Sequence, residues 1–65
     1  MKFLVEAKIG NSYVLPVKEF TAEKEFEFDN KSNVFERVYE VRNYFKNTYG
    51  QNIDLEIIKA KEIGV

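Results

Sequence analysis

The residues best placed to do chemistry lie between positions 19 and 29, which read Glu-Phe-Thr-Ala-Glu-Lys-Glu-Phe-Glu-Phe-Asp. The acids Glu19, Glu23, Glu25, Glu27 and Asp29 are all odd, and Phe20, Ala22, Phe26 and Phe28 are all even. Side chains alternate between the faces of a strand, so this pattern makes one carboxylate row backed by one aromatic row. Carboxylates on alternate residues of a strand stand ~6.6 Å apart, close to the phosphate step along a single nucleic-acid strand. Such a row suits a basic protein partner, or mimicry of nucleic acid before a basic groove. It also serves as a plain solvated face, its repulsion relieved by cross-strand lysines such as Lys59 and Lys61. A metal fits it poorly, because hard cations need oxygens converging on one point and a straight row does not converge.

Catalysis has little to assemble from. The chain has no histidine and no cysteine, which removes the commonest general base, the commonest metal ligand and any thiolate. Ser12, Ser32, Thr21 and Thr48 have no histidine to activate them. Acids alternating along an exposed strand lack the apolar pocket that separates the pKa values of a catalytic pair. No glycine-rich phosphate loop is present. The expectation is a protein that is not an enzyme and holds no cofactor or metal.

Composition narrows the field further. Ten Lys and Arg against eleven Asp and Glu give a net charge of −1, without the basic excess of a free-standing nucleic-acid binder. Apolar residues make up 45% of the chain, too many for a disordered segment. Met1-Lys2-Phe3-Leu4-Val5 meets Glu6 before it becomes a signal segment, and no run approaches a membrane span. A cytoplasmic location is expected. The 65 residues allow one domain, 1–65. A chain of this size buries only about 60% of its unfolded surface, so six Phe and four Tyr must supply the core.

The elements that would position the acidic row follow from periodicity. Phe3, Val5, Ala7 and Ile9 share one face of a strand over residues 2–9, and Lys2, Leu4, Glu6 and Lys8 share the other. Gly10-Asn11-Ser12 reads as a turn, and Tyr13 to Val17 resumes a strand, predicting a hairpin. The parity of apolar residues changes between Val17 and Phe20, beside Pro16. That predicts one strand bent near residues 16–19, or two strands meeting there. Asn33 is placed as N-cap with Glu36 completing a capping box. Val34, Val38, Val41, Phe45 and Tyr49 fall within an arc of about 80° on a helix, with Glu36, Glu40, Asn43 and Asn47 opposite. Gly50 ends that helix. In residues 53–63, Ile53, Leu55 and Ile57 alternate and then Ile58 and Ala60 take the other parity, predicting a strand that is bent or changes face near its middle. A strand reached through a helix favours a parallel neighbour. The fold class is α+β, a two-layer β-β-α-β arrangement with one amphipathic helix on one face of a small sheet.

The other sheet face is then uncovered. Leu4 and at least one of Val14, Phe20, Phe26, Phe28 or Tyr44 are expected away from the helix, either closing a bent sheet on itself or meeting a partner or second copy. On the helix, Arg37, Arg42, Tyr44, Lys46 and Tyr49 combine charge and rings in a way that can bind RNA. Arg37 lies beside Tyr44 and Arg42 beside Tyr49 on the opposite flank, which splits the set and favours ordinary surface solubility.

Several of these segments resemble the archaeal large-subunit ribosomal protein LX family. The resemblance rests on Pro16 followed by Lys18-Glu19-Phe20 and Ala22, on Glu36-Arg37-Val38-Tyr39 in the helix, and on Ile53, Leu55, Ile58 and Glu62-Ile63 in the last strand. It implies a hairpin, a helix and a closing strand in a structural ribosomal component. Residues 40–46 lack the Gly-Ser, histidine and basic run that follow Val-Tyr in that family.

The leading expectation is a non-catalytic interaction module of the accessory or viral-regulator kind. It would bind a protein partner, or itself, through Glu19, Glu23, Glu25, Glu27 and Asp29 with Phe26 and Leu4, or through the uncovered sheet face. A ribosomal component resembling LX is the alternative, and a nucleic-acid-mimicking inhibitor a lesser one. Direct nucleic-acid binding is expected only within a ribosome, and no membrane association is expected.

Overall fold

The computed structural model describes residues 1–11 and 18–63. Its elements are β1 (Lys2–Asn11), β2 (Lys18–Glu27), α1 (Val34–Tyr49) and β3 (Asp54–Glu62). The three strands form one antiparallel sheet in the order β2-β1-β3. This is the expected small α+β fold. The neighbour of β3 differs from the expectation. β2 and β3 do run parallel, but β1 lies between them and pairs antiparallel with both. β1 takes the middle because Val5, Ala7 and Ile9, all fully buried, need cover on both sides.

β1 does not turn at Gly10. It continues through Asn11, with Gly10 opposite Glu19 and Asn11 opposite Lys18. A Cβ on Gly10 would sit 3.3 Å from Glu19 Cγ and 3.9 Å from Asp54 Cβ, so the bare backbone lets three strands pass closely there. Ser12, Tyr13 to Val17, Pro16 and the bend expected near residues 16–19 fall wholly or partly in 12–17, outside the described residues.

β3 does not change face where its parity changes, because a bulge absorbs the phase change. Ala7 pairs with Ile57 and Glu6 with Lys59, leaving Ile58 as the extra residue of a bulge. Leu55 and Ile57 before it, and Ala60 after it, therefore all lie on the face of Val5, Ala7 and Ile9.

α1 starts and stops by local chemistry. Glu36 N–H donates to Asn33 Oδ1 at 2.8 Å, and Asn33 Nδ2 donates to Glu36 Oε1 at 3.1 Å. Glu36 in the first turn and Lys46 in the last suit the helix dipole. Gly50 takes φ 133° and ψ 148°, a region essentially restricted to glycine, and its N–H donates to the Lys46 carbonyl at 2.9 Å. Asn33→Ala removes the cap and should cost about 1 kcal/mol of stability, read as a lower urea midpoint with unchanged slope.

The core is Val5, Ala7, Ile9, Phe26, Phe28, Val41 and Phe45. Phe26 meets Phe28 and Phe45 at ring-centroid distances of 5.9 and 6.1 Å, so the aromatic row lies under the helix. The apolar stripe of α1 is only partly used. Val41 and Phe45 are buried, but Val34 is 67% exposed and Val38 40%. Among the described residues, no helix is long and apolar enough to cross a membrane.

Candidate interaction surface

The face opposite the helix is built by register. β1 contributes Lys2, Leu4, Glu6, Lys8 and Gly10, and their partners on β2 are Glu27, Glu25, Glu23, Thr21 and Glu19. On β3 the same face carries Lys61, Lys59, Glu56 and Asp54, opposite Leu4, Glu6, Lys8 and Gly10. The alternation in β2 thus sets Glu19, Glu23, Glu25 and Glu27 in one exposed row along a sheet edge.

Asp29 is not part of that row. β2 ends at Glu27, and Asp29 Oδ1 accepts the Lys31 N–H at 2.8 Å while its carbonyl accepts the Ser32 hydroxyl at 2.6 Å. It shapes the turn that delivers the chain to the helix. Phe26 is also elsewhere, since it is 7% exposed in the core on the opposite sheet face. Of the expected apolar surplus, Leu4 alone sits on the open face among the described residues. Phe28 is buried, Phe20 meets Tyr49 edge-on at 5.3 Å, and Tyr44 meets Phe26 edge-on at 5.5 Å. Val14 lies outside the described residues.

The expected relief of the row by Lys59 and Lys61 does not occur, because both are on β3 with β1 intervening. Among the described residues, relief comes at the two ends, where Lys2 also stands directly opposite Glu27. Lys8 Nζ lies 3.2 Å from Glu19, and the Met1 amino group lies 3.8 Å from Glu27. In the middle, Glu25 faces Leu4 and Glu23 faces Glu6. Glu23 and Glu25 have no ion pair among the described residues. Glu6 was the member of this site that sequence reasoning missed. Alternation put it on the Leu4 face, but only the strand register sets it against Glu23.

Opposed like charges on neighbouring strands destabilise a sheet. Glu23→Lys should therefore stabilise the isolated protein by about 0.2–1 kcal/mol, seen as a raised urea midpoint that high salt narrows.

Beside Gly10 the open face has a shallow hollow of about 150 Å³ lined by Lys8, Glu19, Asp54 and Glu56. The Lys8 ammonium already occupies the acidic side of it. No cluster of three or more metal-ligating side chains occurs among the described residues.

Three of the five basic and aromatic helix residues, Arg37, Tyr44 and Tyr49, are engaged in contacts with the sheet or its flanks, while Tyr44 and Tyr49 stay partly exposed. Arg37 Nε donates to Ser32 Oγ at 2.8 Å, and its guanidinium lies 5.9 and 5.8 Å from the rings of Phe3 and Phe28. Tyr44 is taken by Phe26 and by the Lys24 ammonium 5.3 Å from its ring. Tyr49 is taken by Phe20 and Phe45.

No family model, curated protein or solved structure matches the chain. The functional reading therefore rests on surface chemistry alone.

Proposed function

We propose that the protein is a non-catalytic interaction module that binds a basic protein surface through its open sheet face, with Glu23 and Glu25 at the centre of the contact. The observation that carries this reading is the opposition of Glu6 and Glu23 beside Glu25 in the middle of an exposed face, where Lys59 flanks only Glu6 and neither Glu23 nor Glu25 has an ion pair among the described residues. A sheet selected only for stability would place a lysine at one of these positions. Stability given up at a local conflict marks a site kept for something else. A basic partner would turn the repulsion into attraction, and Leu4 between Glu25 and Lys61 would offer it a small apolar contact. Catalytic chemistry has no support in the residue types present.

The test uses two baits in host lysate, the native chain and the variant E23K/E25K/E27K. A protein retained by the native chain and lost on the variant supports the reading, and identical retention by both baits removes the acidic row from it.

The second reading is a ribosomal component of the LX kind. Its motive is the sequence resemblance at Lys18-Glu19-Phe20, Glu36-Arg37-Val38-Tyr39 and Glu62-Ile63. Co-sedimentation with large ribosomal subunits, insensitive to the same three reversals, would favour it over the open-face reading.

A further inference from the structure

β3 is an edge strand whose outer side has no partner among the described residues. Its open face carries Asp54 and Glu56 before the Ile58 bulge and Lys59 and Lys61 after it. The charge is thus negative on one arm and positive on the other. Two copies paired antiparallel about a two-fold axis would set the acidic arm of each against the basic arm of the other.

The bulge decides the register. In an ordinary strand, residues that pair across an antiparallel two-fold must share parity to share a face. Ile58 shifts the parity of one arm relative to the other. Face-matched pairing across the bulge therefore requires partners of opposite parity. One such register places Asp54 against Lys61, Glu56 against Lys59 and Leu55 against Ala60, each pair on a common face. Every acid on the open face of β3 then meets a lysine of the second copy, twice over by symmetry.

The helix side agrees with this placement. An apolar groove of about 320 Å³ lies between the first half of α1 and β3, lined by Val34, Val38, Val41, Ile57 and Ala60 among others. Ile58, the bulge residue on the same edge strand, is 46% exposed. A two-fold axis normal to the sheet keeps both helices on one face and brings the two grooves edge to edge.

We infer that the chain forms a symmetric homodimer through β3, joining two sheets into one of six strands and closing the α1–β3 groove. This contact is separate from the acidic row on β2, at the opposite edge of the sheet.

The test is a complementation of charge variants. D54K/E56K makes both arms of the open face positive, and K59E/K61E makes both negative. Sedimentation equilibrium of the native chain at tens of micromolar should give twice the monomer mass. Each variant alone should be monomeric, with the dimer dissociation constant raised at least tenfold. An equimolar mixture of the two should regain the dimer mass, because every pair in the mixed dimer is again opposite in charge. Far-ultraviolet circular dichroism checks that each variant folds. Should a reversal unfold the monomer, K59Q/K61Q carries the same test and should weaken the dimer several-fold. A native chain that stays monomeric at hundreds of micromolar would overturn the inference. So would reversed variants that dimerise like the native chain, or a mixture that remains monomeric. None of these variants alters β2, so failure here leaves the open-face reading standing, and failure there leaves this one.

Discussion

Phe45→Ala is expected to remove most or all of the stability of the fold. Phe45 is 1% exposed, and its ring meets Phe26, Tyr44 and Tyr49 at centroid distances of 6.1, 5.2 and 6.2 Å. It is the largest buried side chain of α1, and only Val41 is buried with it on the helix. Truncating a buried phenylalanine costs about 3–5 kcal/mol, because the transfer energy is lost and a cavity remains. A 65-residue chain at ~0.05–0.15 kcal/mol per residue holds only about 3–10 kcal/mol in total. Phe35 is the control. It lies on the same helix but is 83% exposed, and Phe35→Ala should change stability by no more than about 0.5 kcal/mol. Urea titrations of the two variants separate the cases. Similar midpoints for both would show that α1 is not anchored through Phe45.

Most local signals in the sequence were read correctly, though not the turn at Gly10, and the neighbour of β3 was misplaced. The Asn33 cap, the Gly50 stop and the phase change at Ile58 are each decided within a few residues, so periodicity and capping chemistry reveal them. The place of β1 between β2 and β3 depends on contacts far apart in sequence, and the crossover rule pointed to the wrong neighbour. The candidate site shows the same division. Alternation put Glu19, Glu23, Glu25 and Glu27 on one face and the phenylalanines on the other. That same alternation excludes Phe26 from the acidic surface, since the helix takes its side of the sheet. Asp29 follows the odd parity but lies beyond the strand, where a side chain–backbone turn claims it. The opposition of Glu6 and Glu23 needed the register, and with it the row changed from a relieved face to a conflicted one.

The reversal E23K/E25K/E27K should have its large effect on binding and little on folding. All three side chains are exposed, and the change at Glu23 removes a like-charge pair. Glu25 faces Leu4 and loses no ion pair among the described residues, while Glu27 gives up a 3.8 Å contact with the Met1 amino group and its exposed cross-strand place opposite Lys2, a cost of the same size as the gain at Glu23. Against a basic partner, three attractions become three repulsions. Complementary surface charge acts chiefly on the association rate and on its salt dependence. A loss of at least tenfold in affinity is expected at low ionic strength. It should shrink as the Debye length falls from about 10 Å at 0.1 M salt to about 3 Å at 1 M.

The acidic open face is therefore tested most directly by measuring the affinity of the captured partner for the native chain and for E23K/E25K/E27K across a salt series. The account predicts native binding that weakens steeply with salt, and variant binding that is at least tenfold weaker at low salt and nearly flat across the series. Equal affinities and equal salt slopes for the two proteins would contradict it.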